Sequence, residues 1–505
     1  MAGPEWLDGA NRTSPWPHLR AVVAGIGASG FAAADALLGL GAQVTVLDER
    51  DGDAEADRAR VLEILGATVR LGAGATDALP DSADLVITSP GWRPTAPLLV
   101  AAAKRGVPVW GEVELAWRLR DPDRPAPWLA LTGTNGKTTT VRMLAEMLRA
   151  SGLRAAAAGN VGDPVIEAVL NPERYDVLAL ELSSYQLHWT HTMAARSAAV
   201  LNVAPDHLDW HGSMAAYATD KGRIFTGVQA ACVYNVEDPE TERLVRAAEV
   251  AEGARAIGFT LGVPAVGMIG VVDDVLVDRA FSPREDPPQA TRLLGDPGFL
   301  AERHPPANMA AELASVGDVR PAAPHNIANA LAAAALARSI GVPAVAVRDG
   351  LRMFRPDAHR IAAVATVDGV TYVDDSKATN AHAAQASLQA YDDVVWVAGG
   401  LAKGAAFDEL VQAVRDRLQG VVLLGADRSV IAEALARHAP QVPVVEVTET
   451  DNDVMDRVVA QAARLARPGS TVLLAPACAS MDMFANYAAR GDAFTAAVRR
   501  HGRPR

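Results

Sequence analysis

The sequence predicts an α/β protein of three domains built around parallel sheets. Three observations carry this. Short β-branched runs alternate with glycine turns and Ala/Leu-rich helical stretches: 21–24 into 31–40, 128–131 into 138–150, and 394–398 into 407–418. Two glycine-rich loops each follow a strand and open a helix. The chain has 505 residues, too many for one ordinary core at roughly 100–200 residues per domain. Two joints, charged and proline-containing at 120–127 and 354–360, separate complete βα series. They place domains at 1–124, 125–355 and 356–505. Residues 282–306, dense in proline and charge, read as a loop-like insertion in the middle domain.

The composition is that of a soluble globular chain: 50% hydrophobic and 5% aromatic, with 41 glycines and 31 prolines. That excludes a disordered or collagen-like protein. Lys+Arg 47 against Asp+Glu 60 gives a net charge of −13, the wrong sign for a nonspecific binder of nucleic acid or anionic membrane. A local cationic pocket for a phosphate ligand is compatible with it. Two cysteines, Cys232 and Cys478, without zinc spacing, fit a reducing cytoplasm. The opening residues hold no apolar leader, and no uncharged apolar run reaches about 18 residues. A cytoplasmic protein with no membrane insertion is expected.

The first glycine loop, Gly25-Ile26-Gly27-Ala28-Ser29-Gly30, follows a strand at 19–24 and opens a helix. This is G-x-G-x-x-G in its Rossmann-like context, and the next strand, 44–47, ends at Asp48, about 20 residues on. Backbone amides and a helix N-terminus then face a diphosphate. The loop alone leaves three readings open: a nicotinamide dinucleotide, another anionic nucleotide, or a turn that binds nothing.

The second loop, Thr132-Gly133-Thr134-Asn135-Gly136-Lys137-Thr138-Thr139, follows an apolar strand at 128–131 and precedes a helix. That is a P-loop context: amides cradle phosphate, Lys137 neutralises it, and a Thr hydroxyl can hold Mg²⁺. The general motif asks for glycine where this chain has Leu131.

T-G-T-N-G-K-T-T resembles the P-loop of the Mur ligase family. Further strings occur in that family's order: E-L-S-S-Y-Q-L from Glu181, N-V-A-P-D-H-L-D from Asn202, H-N-I-A-N from His325, D-D-S-K-A-T-N from Asp374 and P-A-C-A-S from Pro476. The resemblance spans about residues 20–495. It implies a Rossmann-like N-terminal domain for the UDP-substrate, a P-loop ATPase-like central domain with a parallel sheet, and a Rossmann-like C-terminal domain for the amino acid. D-S-K-A-T-N and P-A-C-A-S point to the branch that joins D-glutamate to UDP-N-acetylmuramoyl-L-alanine, with ATP becoming ADP and phosphate.

What the resemblance implies residue by residue is as follows. Gly133, Thr134, Asn135, Gly136, Lys137, Thr138 and Thr139 hold the ATP phosphates. Asn326 and Asn329 lie on its adenine side, while Arg360 and Asp375 reach phosphate and ribose from the third domain, making domain closure part of the mechanism. Two Mg²⁺ ions are held by Thr138, Glu181, His207 and Lys221, the last as a carbamate. Read without the resemblance, Lys221 is an ordinary solvated helix lysine. Glu181 follows a strand at 177–180 and His207 one at 199–203. Asn160 helps to hold the phosphates and reacting carboxylate. The UDP end meets Gly27, Ser29, Gly30, Asp48, Arg50, Ser89 and Gly91. Glutamate meets Lys377, Thr379, Lys403, Ser480 and Met481, with Tyr487 where a family aromatic packs. Cys478 has no step to perform and is expected to be packing. A monomer is expected.

Three rival readings remain at this point. A dinucleotide dehydrogenase explains the first loop but leaves the second idle. A noncatalytic nucleotide-binding relative would be expected to lose Lys137, Glu181, His207 or Lys221, all present. A ligase for L-glutamate or another acidic amino acid shares every motif.

Overall fold

The computed structural model describes residues 4–281, 310–451 and 453–502. The expected insertion at 282–306 lies outside the described residues. The chain forms two compact units, Met1–Val319 with Ile327–Phe354, and Arg320–Asn326 with Arg355–Arg505.

The first unit holds two sheets. Strands β1 (Arg20–Ala24), β2 (Gln43–Asp48), β3 (Thr68–Leu71), β4 (Leu85–Thr88) and β5 (Val109–Gly111) pair in parallel in the order β3-β2-β1-β4-β5. Strand order reverses at β1, so the loops after β1 and β4 flank a switch point, where open α/β sheets bind ligands. β4 is buried at every position, the run expected of a parallel strand covered on both faces.

The second sheet has nine strands: β6 (Trp128–Thr132), β7 (Ala155–Gly159), β8 (Val177–Glu181), β9 (Ser197–Val200), β10 (Ala231–Asn235), β11 (Arg255–Phe259), β12 (Met268–Val272), β13 (Val275–Asp278) and β14 (Ala311–Ser315). Their order is β14-β13-β12-β11-β10-β9-β6-β8-β7. β12–β13 and β13–β14 are antiparallel, and the rest pair in parallel. β6 therefore lies between β8 and β9, and Leu131 is in register with both Glu181 and Ala199. One apolar cluster runs from Val23 and Val46 of the first sheet to Trp128, Leu180 and Val200 of the second. Buried carboxylates fasten the same seam. Glu112 accepts from the Ile166 amide at 2.6 Å, and Glu114 accepts from the amides of His191 and Thr192 at 2.8 and 2.9 Å.

The second unit holds six strands: β15 (Ala362–Val367), β16 (Val370–Asp374), β17 (Val394–Gly399), β18 (Leu418–Leu424), β19 (Val444–Glu446) and β20 (Thr471–Leu474), ordered β15-β16-β20-β17-β18-β19. Only β15–β16 is antiparallel.

Two sequence expectations shift. The helical stretch 407–418 is a helix only over Asp408–Val414. A 3₁₀ turn, Arg415–Arg417, follows, and Leu418 already begins β18. The Leu-Gln-Gly-Val-Val-Leu-Leu run packs into the sheet, where β-branched residues fit best. The strand at 199–203 ends at Val200, so residues 201–203 form a loop that braces the P-loop. Among the described residues no helix is long and apolar enough to cross a membrane.

Candidate active site

The loop after β6 opens the helix Lys137–Ala150. Gly136 stands at φ +83°, and a Cβ there would collide with the Asn329 side chain. Glycine is therefore required both by the left-handed backbone and by the close approach of Asn329. The loop after β9 holds the P-loop from one side. Asn202 accepts from the Asn135 amide at 2.8 Å and returns a bond to the Asn135 carbonyl at 3.1 Å. Thr134 Oγ1 accepts from the Ala204 amide at 2.9 Å and lies 3.1 Å from the Tyr217 hydroxyl.

Two lysines converge on this loop. Lys137 Nζ donates to the Gly133 and Thr134 carbonyls at 2.8 and 2.9 Å. Lys221 Nζ, from the helix Met214–Gly222, donates to the same Gly133 oxygen at 2.9 Å. Lys221 is 2% exposed, so it is no solvated helix lysine; its Nζ lies 4.5 Å from the centre of the Tyr217 ring. Burial first, and the Lys137 charge second, push its pKa well below the ordinary lysine value.

Glu181 ends β8 beside β6. Its Oε1 accepts from Asn160 Nδ2 at 3.0 Å, whereas its buried Oε2 has no hydrogen-bond partner. His207 stands at φ +55° before the short helix Leu208–His211, with its ring 4.9 Å from Tyr185. Burial lowers its pKa; Lys137 and Lys221 add to that, against Asp206. Thr138 lies in the first turn of the Lys137–Ala150 helix, and Thr139 is buried there. Among the described residues no three His, Cys, Asp or Glu side chains form a ready metal cluster. The donor set here is one orphaned carboxylate oxygen, hydroxyls and an imidazole. It suits a hard cation that keeps phosphate and water among its ligands.

Sequence reasoning missed a second layer behind these groups. Ser184 Oγ lies 3.0 Å from His211 Nε2, and His211 Nδ1 lies 3.0 Å from Asp220 Oδ2. His188 Nδ1 reaches the same oxygen at 2.9 Å, and Arg223 reaches Asp220 Oδ1 at 3.1 Å. Burial alone would raise the Asp220 pKa, but these partners bring it down to about 2. The network fixes the helix turn that carries Lys221. No local pattern announces it, because it joins two segments, 184–188 and 211–223, that are 23 positions apart at their nearest.

At the first sheet, the Asp48 carboxylate is engaged within the protein. It accepts from the Ile26 amide at 2.8 Å and from Arg50 at 3.0 Å. Arg50 also pairs with Glu55 at 3.2 Å and keeps most of its side chain in solvent. A Cβ on Gly30 would strike the Gly25 carbonyl, so the turn closes tightly onto the helix Ala28–Gly39, whose N-cap is Gly27 and whose first turn contains Ser29. Ser89, after β4, donates to the Gly25 carbonyl at 3.3 Å. Gly91 accepts from Trp210 Nε1 at 3.3 Å, and Arg93 pairs with Asp209 at 2.8 Å. The loop after β4 therefore touches the helix that follows His207.

In the second unit the expected glutamate residues hang from three neighbouring strand ends. Lys377 and Thr379 follow β16, Lys403 follows β17 at φ +50°, and Ser480 follows β20. Lys377 Nζ lies 3.8 Å from the centre of the Tyr487 ring. Met481 is 64% exposed. Asp375 is buried, accepts from Ser387 Oγ and the Ile361 amide, and is raised to about 6 by that burial. Arg360 lies 3.7 Å from Asp357, and Asn326 donates to the Pro321 carbonyl at 3.3 Å. Cys478 is buried, and burial pushes its thiol up to about 12, the state of a packing residue.

Three family models match the chain: Mur ligase MurD-like, N-terminal domain, at residues 19–111; Mur ligase middle domain, at 131–268; and Mur ligase, glutamate ligase domain, at 359–478. The UDP-N-acetylmuramoylalanine--D-glutamate ligase of Streptomyces avermitilis is 63% identical over 486 residues, which is 96% of this chain and 98% of the relative. The protein of the same name from Thermobifida fusca is 57% identical over 482 residues, 95% and 98% of the two chains. Among solved structures, the UDP-N-acetylmuramate-alanine ligase of Thermotoga maritima superposes with a TM-score of 0.53 at 18% identity. That match covers 96% of this chain and 100% of the other and speaks for the fold alone.

Proposed function

We propose, on the premise that this chain belongs to the Mur ligase family, that it joins D-glutamate to UDP-N-acetylmuramoyl-L-alanine at the expense of ATP. The step belongs to peptidoglycan precursor synthesis in the cytoplasm, performed by a monomer. The observation that carries the reading is the meeting of Lys137 and Lys221 on one carbonyl oxygen of a P-loop, beside the strand that ends in Glu181.

A carboxylate resists an amine because it has no leaving group. In the reaction, a carboxylate oxygen of the muramoyl substrate bonds to the γ-phosphorus, the β–γ bridge breaks and ADP leaves. The glutamate amine then attacks the acyl carbon, loses a proton, and phosphate departs with the C–O bonding electrons. The chain must hold two anions together while the first bond forms. Lys137, the loop amides of Gly133, Thr134, Asn135 and Gly136, and the helix N-terminus with Thr138 and Thr139 serve the phosphates. Asn160, held by Glu181, serves the phosphates and reacting carboxylate. Asn326, Asn329 and Asp375 serve the nucleoside end of ATP, and Arg360 its phosphates.

Mg²⁺, as two ions in this reading, would be held by Thr138, Glu181, His207 and Lys221, and when bound would offset the charge of the meeting anions. The orphaned Glu181 Oε2 fits that role. A buried Lys221 amine that loses its proton readily can take up CO₂ as a carbamate and so become an anion. Gly27, Ser29, Gly30, Arg50, Ser89 and Gly91 serve the UDP end, with Asp48 holding Arg50 and the turn. Lys377, Thr379, Lys403, Ser480, Met481 and Tyr487 receive glutamate.

The test is phosphate release with UDP-N-acetylmuramoyl-L-alanine, ATP and Mg²⁺ against a panel of D- and L-amino acids. D-glutamate should give the highest turnover. Release that does not depend on the muramoyl substrate, or that favours L-glutamate, overturns the reading.

A further inference from the structure

Arg490 is the largest charged side chain buried in the second unit, at 1% exposure. It enters from the helix Tyr487–His501 and ends among three loops. Nε donates to Ser376 Oγ at 3.0 Å and Nη2 to the Ser376 carbonyl at 2.9 Å. Nη1 donates to the Cys478 carbonyl at 3.1 Å and the Gly399 carbonyl at 3.4 Å. Ser376 Oγ passes the connection on by donating to the Tyr487 carbonyl at 2.7 Å. One guanidinium thus ties the ends of β16, β17 and β20 to the start of its own helix. These loops carry Lys377, Thr379, Lys403 and Ser480. The following residue leaves no room for a side chain: a Cβ on Gly491 would collide with His359 and Asp374.

Every acceptor that Arg490 has is neutral. Asp374 and Asp482 act on it through space, but Asp374 is engaged by His359 at 2.6 Å and Asp482 by the Ala426 amide at 2.8 Å. Neither forms an ion pair with Arg490. Burial lowers its pKa to about 10, which leaves it charged at neutral pH. A buried cation without a carboxylate partner is costly, and Leu or Met would fill the space without that cost. Its retained charge sits directly behind loops assigned to a dicarboxylic amino acid.

We propose that Arg490 is a positioning residue for the acidic amino-acid substrate: it locks the three loops into one geometry and places behind them a positive charge that no direct ion pair neutralises. This deepens the functional reading above and rests on it. The guanidinium touches no substrate and acts through Ser376, Gly399 and Cys478.

Steady-state kinetics of the intact enzyme, Arg490→Met and Arg490→Lys, each checked by circular dichroism and thermal melting, test the idea. Arg490→Met should raise the KM for D-glutamate at least tenfold, with the KM for ATP and for the UDP-substrate within twofold of the parent. Arg490→Lys keeps charge without the fork and should raise the glutamate KM about three- to tenfold with kcat within twofold. If the Met variant does not fold, the Lys variant decides alone. An unchanged glutamate KM, or a fall in kcat with all three KM values moving together, overturns the proposal. Absence of D-glutamate-dependent turnover in the parent enzyme would instead fail the functional reading.

Discussion

Glu112 offers a stringent test of how the first unit is held together. It ends the step from β5 into the helix Glu112–Arg118. One oxygen accepts from the Ile166 amide across the seam, and the other, Oε2, is buried without a partner. Burial, opposed by the Ile166 bond and reinforced by Glu167, raises its pKa from 4.5 to about 7. The folded state therefore holds a proton that the unfolded chain releases at lower pH. Stability from this group is fully present below 4.5 and falls as pH rises, until the loss is complete above about 7. At about 1.36 kcal/mol per pH unit the whole loss is roughly 3 kcal/mol. About 1 kcal/mol of it has already gone at pH 5.5, leaving about 2 kcal/mol between pH 5.5 and 8.5. Glu112→Gln keeps an acceptor for Ile166 and cannot ionise. Urea unfolding of both proteins at the two pH values, followed by tryptophan fluorescence, gives the difference directly. The variant should gain about 2 kcal/mol on the parent between pH 5.5 and 8.5, whatever fixed cost its unpaired amide adds. Profiles that run parallel would refute a neutral carboxyl in the seam.

The remaining expectations concern the site. Lys137→Ala should lower ligation turnover about 10²–10³-fold, as for other single contacts to a reacting anion, while calorimetry still finds the UDP-substrate bound; loss of both would point to misfolding. Lys221→Ala should abolish phosphate release without lowering the melting temperature, and short carboxylates should restore part of the rate; near-normal turnover would rule out an anionic role for this side chain. Arg50→Ala should weaken UDP-N-acetylmuramoyl-L-alanine by about 1–3 kcal/mol, the range for a charge-assisted hydrogen bond, as read by calorimetry. NADH should not displace that substrate at similar affinity, because the Asp48 carboxylate a dinucleotide ribose would need is already spent on Ile26 and Arg50.

What could be read from the chain beforehand followed the range of the interactions. Both glycine loops are legible because a phosphate cradle is local: strand end, glycine turn and helix start lie within about a dozen residues. The position of β6 between β8 and β9 is not, since strand order is set by pairing between distant segments. Lys221 is the clearest case. Its helix, M-A-A-Y-A-T-D-K-G, has the look of a surface turn; Tyr217 of the same helix lies beside its amine, but the Gly133 carbonyl that receives it comes from 88 positions earlier in the chain. Arg490 is similar, in a stretch of alanines and arginines that reads as a solvated face. The expected strand at 199–203 overshot because apolar Leu201 and Val203 continue the pattern after the backbone has turned to let Asn202 bond the P-loop.

The line from Ser184 through His211 to Asp220 has the connectivity of a serine-hydrolase triad, hydroxyl to imidazole to carboxylate. Connectivity alone does not make a nucleophile of the hydroxyl. Access separates this line from such a triad. Ser184 is 3% exposed and the His211 side chain is wholly enclosed, so no acyl carbon can approach the hydroxyl. Organophosphorus probes that label serine hydrolases should pass this protein by. The same hydrogen bonds that elsewhere activate a nucleophile serve here as masonry: they hold one turn of helix still, so that the lysine at its end stays beneath the phosphate loop.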